Sequence, residues 1–210
     1  MRFVKDVKYD LLVPPLGLEY SKMTPKQVRE NFEWFISRIP ERIEYLTNRC
    51  AQDLNITVNE LNLSPDSLKI IWRWFLKTAR IEKVPKEEVA KLEKNVGHLG
   101  EHWIIREQLT VTSQFILRDI GMYLGETFIK NHNSIRWDYF MRPQNEVSAR
   151  KPVLLGFVYI DPTDKSQVTS LPFDPIGLLE YIGHKIVSKT QKETDLYEVY
   201  VERLKFLPAD

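Results

Sequence analysis

The segment that most constrains the fold is QLTVTSQFILRDIGMYLGETFIKN, residues 108–131, because a helix formed by it is apolar around most of its circumference. Two lines of apolar side chains run along that helix: Val111, Phe115, Met122 and Ile129 on one, and Ile116, Ile120 and Leu124 on the other. Such a helix is normally central, so we predict that the rest of the chain packs around it. Gly121 and Gly125 are four residues apart and share a face, which predicts the close approach of another element.

Beyond this helix the apolar period changes from helical to alternating, which indicates strands. SIRWDYFM (134–141) alternates as a half-buried strand does, and PVLLGFVYI (152–160) is continuous enough for a strand buried on both faces. The polar segment between them favours an antiparallel hairpin. Residues 161–175 are predicted to form a loop that ends in Asp174 and Pro175, an N-cap and first-turn pair. Residues 176–207 are predicted to form two amphipathic helices or one broken helix.

Upstream, two helix starts carry strong local signals. Thr24 suits the N-cap and Pro25 the first helical position, and Ser64 and Pro65 repeat that pair. Pro40 interrupts the first helix and predicts either a second helix or a kinked continuation. A further short helix is expected to end near Gly97.

These patterns predict an α+β fold that is mainly helical, with an antiparallel β-hairpin or small sheet of the C-terminal half packed on the central helix. The 210 residues are 43% hydrophobic, which is enough to bury a substantial core. We predict a single domain over 1–210, with a helical part (1–108) and a helix–hairpin–helix part (109–210).

Charge and cysteine content exclude some functional classes. The net charge of +1 removes a global electrostatic argument for nucleic acid or an acidic membrane as partner. The single cysteine, Cys50, cannot form an intramolecular disulfide, and its helical setting is typical of a small core side chain. With no apolar leader and no run long enough to span a bilayer, we expect a soluble cytoplasmic protein.

The stretch GHLGEHWIIRE contains His98, Glu101 and His102 in the order H-x-x-E-H, which resembles the motif of the inverzincin peptidases. In a helix the two histidines would hold zinc and Glu101 would activate the bound water, with Glu126 available as a third ligand. Gly97 and Gly100 disfavour that helix, and the resemblance implies a much larger protein with a substrate chamber. The alternative is that both histidines lie at a helix end, where cationic side chains are favourable.

Asp119 and Glu126 form a second candidate site, because residues seven apart share one face of a helix, with Tyr123 nearby. Their separation of about 10 Å along the axis is wide for one proton-transfer site. The alternative is a structural role, in which they mark the helix's polar edge or pair with arginines such as Arg118 or Arg136. His184 stands among apolar residues, which predicts a structural histidine.

The helix from Ser64 onward offers a candidate binding surface. Lys69, Arg73 and Lys77 form one basic stripe, and Trp72 and Trp74 flank Arg73. One interpretation is a core helix with a solvated basic edge. The other is a basic, tryptophan-rich surface of Trp72, Arg73, Trp74 and Lys77 that binds an anionic partner.

The order of elements in DIGMYLGETFIKNHNSIRWDYF…KPVLLGF, within residues 109–187, resembles several small bacterial domain families. In these families a Y-L-G-E helix precedes a tryptophan-bearing strand, an apolar strand and a closing helix. Such domains are often described without any activity, and some are suspected of serving as immunity or partner-binding proteins. The resemblance therefore implies binding more than catalysis and supplies no active-site residue, although immunity proteins are commonly more acidic than this chain.

We therefore favour a non-enzymatic, cytoplasmic bacterial domain that binds another protein and needs no cofactor. The predicted binding surface is either the helix that contains residues 68–77 or the edge of the hairpin. The competing interpretation is a zinc-dependent hydrolase that uses His98, Glu101, His102 and Glu126.

Overall fold

The computed structural model describes residues 9–17, 19–96, 106–143, 146–164 and 166–208. The predicted fold class is confirmed: the chain is α+β and 55% helical, with small antiparallel sheets packed against the helices. The α-helices are α1 (Pro25–Leu54), α2 (Pro65–Thr78), α3 (Lys86–Val96), α4 (Val111–Asn131), α5 (Pro175–Val187) and α6 (Asp195–Leu204). The strands are β1 (Ile81–Lys83), β2 (Glu107–Leu109), β3 (Arg136–Asp138), β4 (Val153–Leu155), β5 (Val158–Ile160) and β6 (Val168–Ser170).

The predicted starts of α1 and α2 are confirmed by their caps. The Thr24 hydroxyl accepts from the backbone of Gln27 in a capping box, and the Ser64 hydroxyl accepts from the backbone of Ser67. Helix α1 then runs for 30 residues through Pro40, so the alternative of a second helix is wrong. It ends at Asn55, whose left-handed conformation stops it.

Helix α4 is central, as its apolar pattern predicts. Residues 116–125 are all buried, and α1, α2 and α5 pack against the helix. Val111, by contrast, is 52% exposed, because it lies in the first turn of α4 and outside the packed stretch.

The two glycines of α4 let two different elements approach closely. A Cβ at Gly121 would lie 3.0 Å from the Cα of Ile176 at the start of α5, and a Cβ at Gly125 would overlap the Trp137 ring of β3. The prediction of a close approach is therefore confirmed at both positions.

Among the described residues the strands form three two-stranded antiparallel sheets, β1–β2, β3–β4 and β5–β6. The predicted hairpin is present as β3–β4, with Trp137 opposite Leu154. The single buried strand predicted over 152–160 is wrong, because Gly156, at φ +113°, separates β4 from the more exposed β5. The predicted loop over 161–175 is corrected too, since it contains β6.

Helices α5 and α6 are separate, which decides between the two alternatives left open by the sequence. Helix α5 packs on α4, and α6 packs on α2, where the Trp72 indole N–H donates to the carbonyl of Lys192 at 2.8 Å. One cluster of buried apolar residues includes side chains from both the 1–108 and the 109–210 parts. No helix in the described ranges is both long and apolar enough to cross a bilayer.

Candidate functional site

The predicted tryptophan-rich surface on α2 is corrected by the burial of its two tryptophans. Trp72 and Trp74 are 0% and 1% exposed, and the Trp74 indole N–H donates to the Asp53 carboxylate at 3.0 Å. Arg73 and Lys77 are exposed, and Arg73 pairs with Glu193 at 3.6 Å. The tryptophans are buried because α1, α4 and α6 pack against α2, so α2 is a core helix with a solvated basic edge.

The H-x-x-E-H motif lies outside the described residues, since His98, Glu101 and His102 all fall within 97–105. Within the described ranges, no three histidine, cysteine or acidic residues are grouped as metal ligands. Glu126 accepts a hydrogen bond from the Trp137 indole at 2.8 Å, and burial raises the pKa of its carboxyl. The zinc hypothesis therefore stays a prediction.

Asp119 has a structural partner, but not a predicted one. Its carboxylate pairs with Arg42 at 2.6 Å and accepts from the Tyr9 hydroxyl at 2.5 Å, whereas the predicted partner Arg136 pairs with Asp138. Burial raises the pKa of Asp119, against the lowering effect of the Arg42 guanidinium. This cluster holds the segment around Tyr9 to α1 and α4.

Tyr123, the third residue of this candidate site, also has hydrogen-bond partners outside it. The Tyr123 hydroxyl lies 2.7 Å from the Ser67 hydroxyl and accepts from the Leu63 backbone at 3.0 Å. Asp119 and Glu126 thus have no hydrogen-bond partner in common among the described residues, and a shared acid–base site is not formed.

Cys50 and His184 are the remaining single residues with a predicted role. Cys50 is fully buried, as predicted for a core side chain, and burial raises the pKa of its thiol to about 12. A thiol of that pKa is a poor nucleophile at neutral pH. His184 is exposed on α5, although its apolar neighbours in the sequence predicted a structural histidine.

The start of α5 is bordered by two cavities that we name after their arginines. The Arg203 cavity, about 610 Å³, lies between α5 and α6, and the Arg118 cavity, about 180 Å³, lies on the α4 side of α5. Both are lined by four residues of the same wall: Lys151, Asp174, Gly177 and Glu180. A larger cavity of about 940 Å³ has a lining that includes Arg106, which follows residues 97–105, outside the described ranges.

The wall between these cavities is built by the capped start of α5. The Asp174 side chain accepts from the Gly177 backbone at 2.8 Å, which satisfies one free N–H of the first turn. Asp174 also pairs with Lys151 at 3.7 Å. Within this wall Glu180 is therefore the carboxylate without an ion-pair partner in the described part of the chain.

Arg203 is held by aromatic rings and carbonyls. Its guanidinium lies 4.6 Å, 4.8 Å and 5.4 Å from the ring centroids of Phe157, Phe173 and Phe206. One terminal nitrogen donates to the Leu171 carbonyl at 2.6 Å, while the buried Nε has no acceptor among the described residues. Burial lowers the pKa of Arg203 to about 10.

Neither arginine cavity follows from the sequence. Phe157 and Phe173 lie far from Arg203 along the chain, so only the folded arrangement brings them together. One local signal was available: Phe206 follows Arg203 by three residues, at the spacing of neighbours on a helix.

Comparison with known proteins adds no assignment: no protein-family model matches the chain, and no curated protein or solved structure matches it either.

Proposed function

We propose that this protein is a non-enzymatic module that binds another protein, and that the Arg203 cavity receives the bound segment. That segment carries one acidic side chain between apolar ones. The observation that carries the proposal is the half-buried Arg203 guanidinium, which faces an open cavity and has no carboxylate partner among the described residues.

The chemistry of Arg203 favours an anionic group in the ligand. Removing a cation from water is costly unless it gains compensating contacts. The three aromatic faces and the Leu171 carbonyl supply part of that compensation. A carboxylate from a partner would add a charge-assisted hydrogen bond, which is about twice as strong as a neutral one.

The other charges of the cavity are consistent with one acidic group rather than a run of them. Lys151 pairs with Asp174, and Glu202 pairs with Lys205 at 2.5 Å. Glu180 remains as a carboxylate in the wall and would repel a second anion.

The apolar lining favours a protein segment. Leu178, Val199 and Phe206 line the cavity, and Val147 at its edge is 82% exposed. Arginine and aromatic residues are enriched where proteins bind one another, which fits Arg203 and its rings. The proposal includes a bacterial, cytoplasmic setting, since the resemblance is to bacterial domains and the one cysteine suits a reducing compartment.

The first test uses a labelled peptide with one glutamate between leucines, and a control peptide in which glutamine replaces that glutamate. We expect the acidic peptide to bind in fluorescence anisotropy and the control peptide to bind at least about tenfold more weakly, as for loss of a charged hydrogen bond. Equal affinity for the two peptides would contradict the proposal.

Two substitutions locate the binding. Val147→Asp places a negative charge at the exposed edge of the cavity without disturbing the core, so it should weaken the acidic peptide's binding. Lys26→Gln removes an exposed cation of α1 that pairs with Glu30 and does not line the cavity, so it should leave binding unchanged. If Val147→Asp has no effect, or Lys26→Gln has the larger one, the Arg203 cavity is not the site.

A further inference from the structure

Arg118 is a buried cation without an assigned partner. It lies in the fully buried stretch of α4 and is only 6% exposed. Its Nε and one terminal nitrogen, Nη1, are buried and have no acceptor among the described residues. Such groups cost free energy unless something pairs with them.

This arginine lines the Arg118 cavity, which is of small-molecule size. Its volume of about 180 Å³ is slightly larger than a cavity of about 150 Å³ that holds one benzene molecule. Tyr20 and Ile176 form part of the lining, so the ligand would also contact an aromatic and an aliphatic side chain. The size excludes a folded partner and favours a compact molecule.

The charges of the lining are balanced. Arg118 and Lys151 supply two cations, and Asp174 and Glu180 supply two carboxylates. Lys151 and Asp174 pair with each other, which leaves Arg118 and Glu180 as the cation and the anion available to a ligand. Burial raises the pKa of Glu180, and the nearby Asp174 carboxylate raises it further. A cationic group of a ligand would stabilise the ionised form of this carboxyl.

We propose that the Arg118 cavity binds a small zwitterion of the α-amino-acid class, with its carboxylate at Arg118 and its ammonium group at Glu180. A multiply charged anion such as phosphate fits less well, because the Asp174 and Glu180 carboxylates line the same space. This site depends on Arg118, and so it stands apart from the peptide binding proposed for Arg203.

The test compares four probes by their effect on the thermal unfolding of the whole chain: L-alanine, propionate, ethylammonium and inorganic phosphate. A ligand that binds only the folded state raises the unfolding temperature. We expect L-alanine to raise it more than each of the other three at equal concentration. A phosphate effect equal to or larger than that of L-alanine would overturn the proposal, as would no effect of L-alanine.

Substitutions then assign the two ends of the ligand. Arg118→Met should abolish the effect of L-alanine, and it should fold, because an apolar side chain of similar length replaces an unpaired buried charge. Glu180→Gln keeps the shape of a partly exposed side chain and should remove the preference for L-alanine over propionate. An unchanged preference would overturn the assignment of the ammonium group even if the first variant failed to fold.

A matched variant separates this site from the other cavity. Arg203→Gln should abolish binding of the acidic peptide but preserve the L-alanine effect, because Arg203 does not line the Arg118 cavity. Loss of both effects in a variant with unchanged circular dichroism would mean that the two cavities are one site, which contradicts the proposal.

Discussion

At the scale of single residues, two buried arginines and the half-buried Arg203 differ in what compensates the removal of their charge from water. Arg42 pairs with a carboxylate, and Arg203 contacts aromatic rings and backbone carbonyls. Two nitrogens of Arg118 have no hydrogen-bond acceptor among the described residues. Because Arg42 has its carboxylate partner within the chain, we assign it a structural role. The other two leave room for a ligand, and both border the start of α5.

The Arg42–Asp119 pair predicts a large effect of one conservative substitution. Asp119→Asn leaves the buried Arg42 guanidinium with only the exposed carboxylate of Asp10, at 3.5 Å, and should lower the free energy of unfolding by about 3 kcal/mol. Urea denaturation measures this change. Glu41→Gln, which breaks the exposed pair with Arg38, is the control and should cost less than about 0.5 kcal/mol. Similar losses in the two variants would mean that Asp119 contributes no more than a surface charge.

His132 predicts a pH dependence of stability. Burial lowers the pKa of its imidazole, whose Nε2 lies 2.8 Å from the Tyr200 hydroxyl. As the pH falls below the unfolded value of about 6.5, the unfolded chain takes up the proton first, so the free energy of unfolding decreases. The decrease ends once the pH lies below the folded pKa, where both states are protonated.

Unfolding measured between about pH 7.5 and 5 checks this sign, over a range that spans the ordinary histidine pKa. His132→Gln should show a shallower dependence than the parent chain. His184→Gln alters a solvent-exposed histidine and should retain the parent's dependence. Identical curves for His132→Gln and the parent would remove this histidine as the cause.

At the scale of elements, the close packing of α4 against β3 predicts that one methyl group is destabilising. Gly125→Ala places a Cβ inside the volume of the rigid Trp137 ring and should lower the free energy of unfolding by about 2 kcal/mol. Gly183→Ala is the matched control, because its Cβ meets only the ends of the flexible Leu117 and Leu109 side chains. Thermal unfolding compares the two, and a milder effect of Gly125→Ala would contradict the packing.

Elements were predictable where their signals are local. Each predicted N-cap and first-turn proline pair starts a helix: Thr24–Pro25, Ser64–Pro65 and Asp174–Pro175. A three-residue strand such as β6 has too few residues to show alternation, and its partner β5 supplies the pairing that defines it. The split between β4 and β5 depends on the close approach of Gly156 to the Ser134 backbone, a contact between distant residues.

At the scale of the whole molecule, contacts between the 1–108 and 109–210 parts predict one cooperative unfolding transition. Tyr9 binds Asp119, and Trp72 binds the Lys192 backbone, so neither part keeps its polar partners alone. Cys50 in α1 should become accessible to alkylation at the same urea concentration at which α5 loses protection from amide exchange. Earlier loss of protection in α5 would show that the parts unfold separately.

The candidate sites could not be predicted from the sequence because they form only when separate elements pack together in the whole molecule. Burial of Trp72 and Trp74 depends on α1, α4 and α6, which all pack against α2, so the local pattern of α2 could not place its two rings. The Arg118 cavity likewise combines Tyr20, α4 and the start of α5. Sequence patterns therefore predicted the central helix but not the cavities around it.

The bond between Tyr9 and Asp119 also sets an order of events during synthesis. The two residues are separated by 110 positions, so at about 5–20 residues per second Tyr9 is made roughly 5–20 s before its acceptor exists. Arg42 must wait for the same carboxylate and stays hydrated until then. Helix α1 can therefore form early on the ribosome, but the N-terminal segment docks only after α4 has been translated.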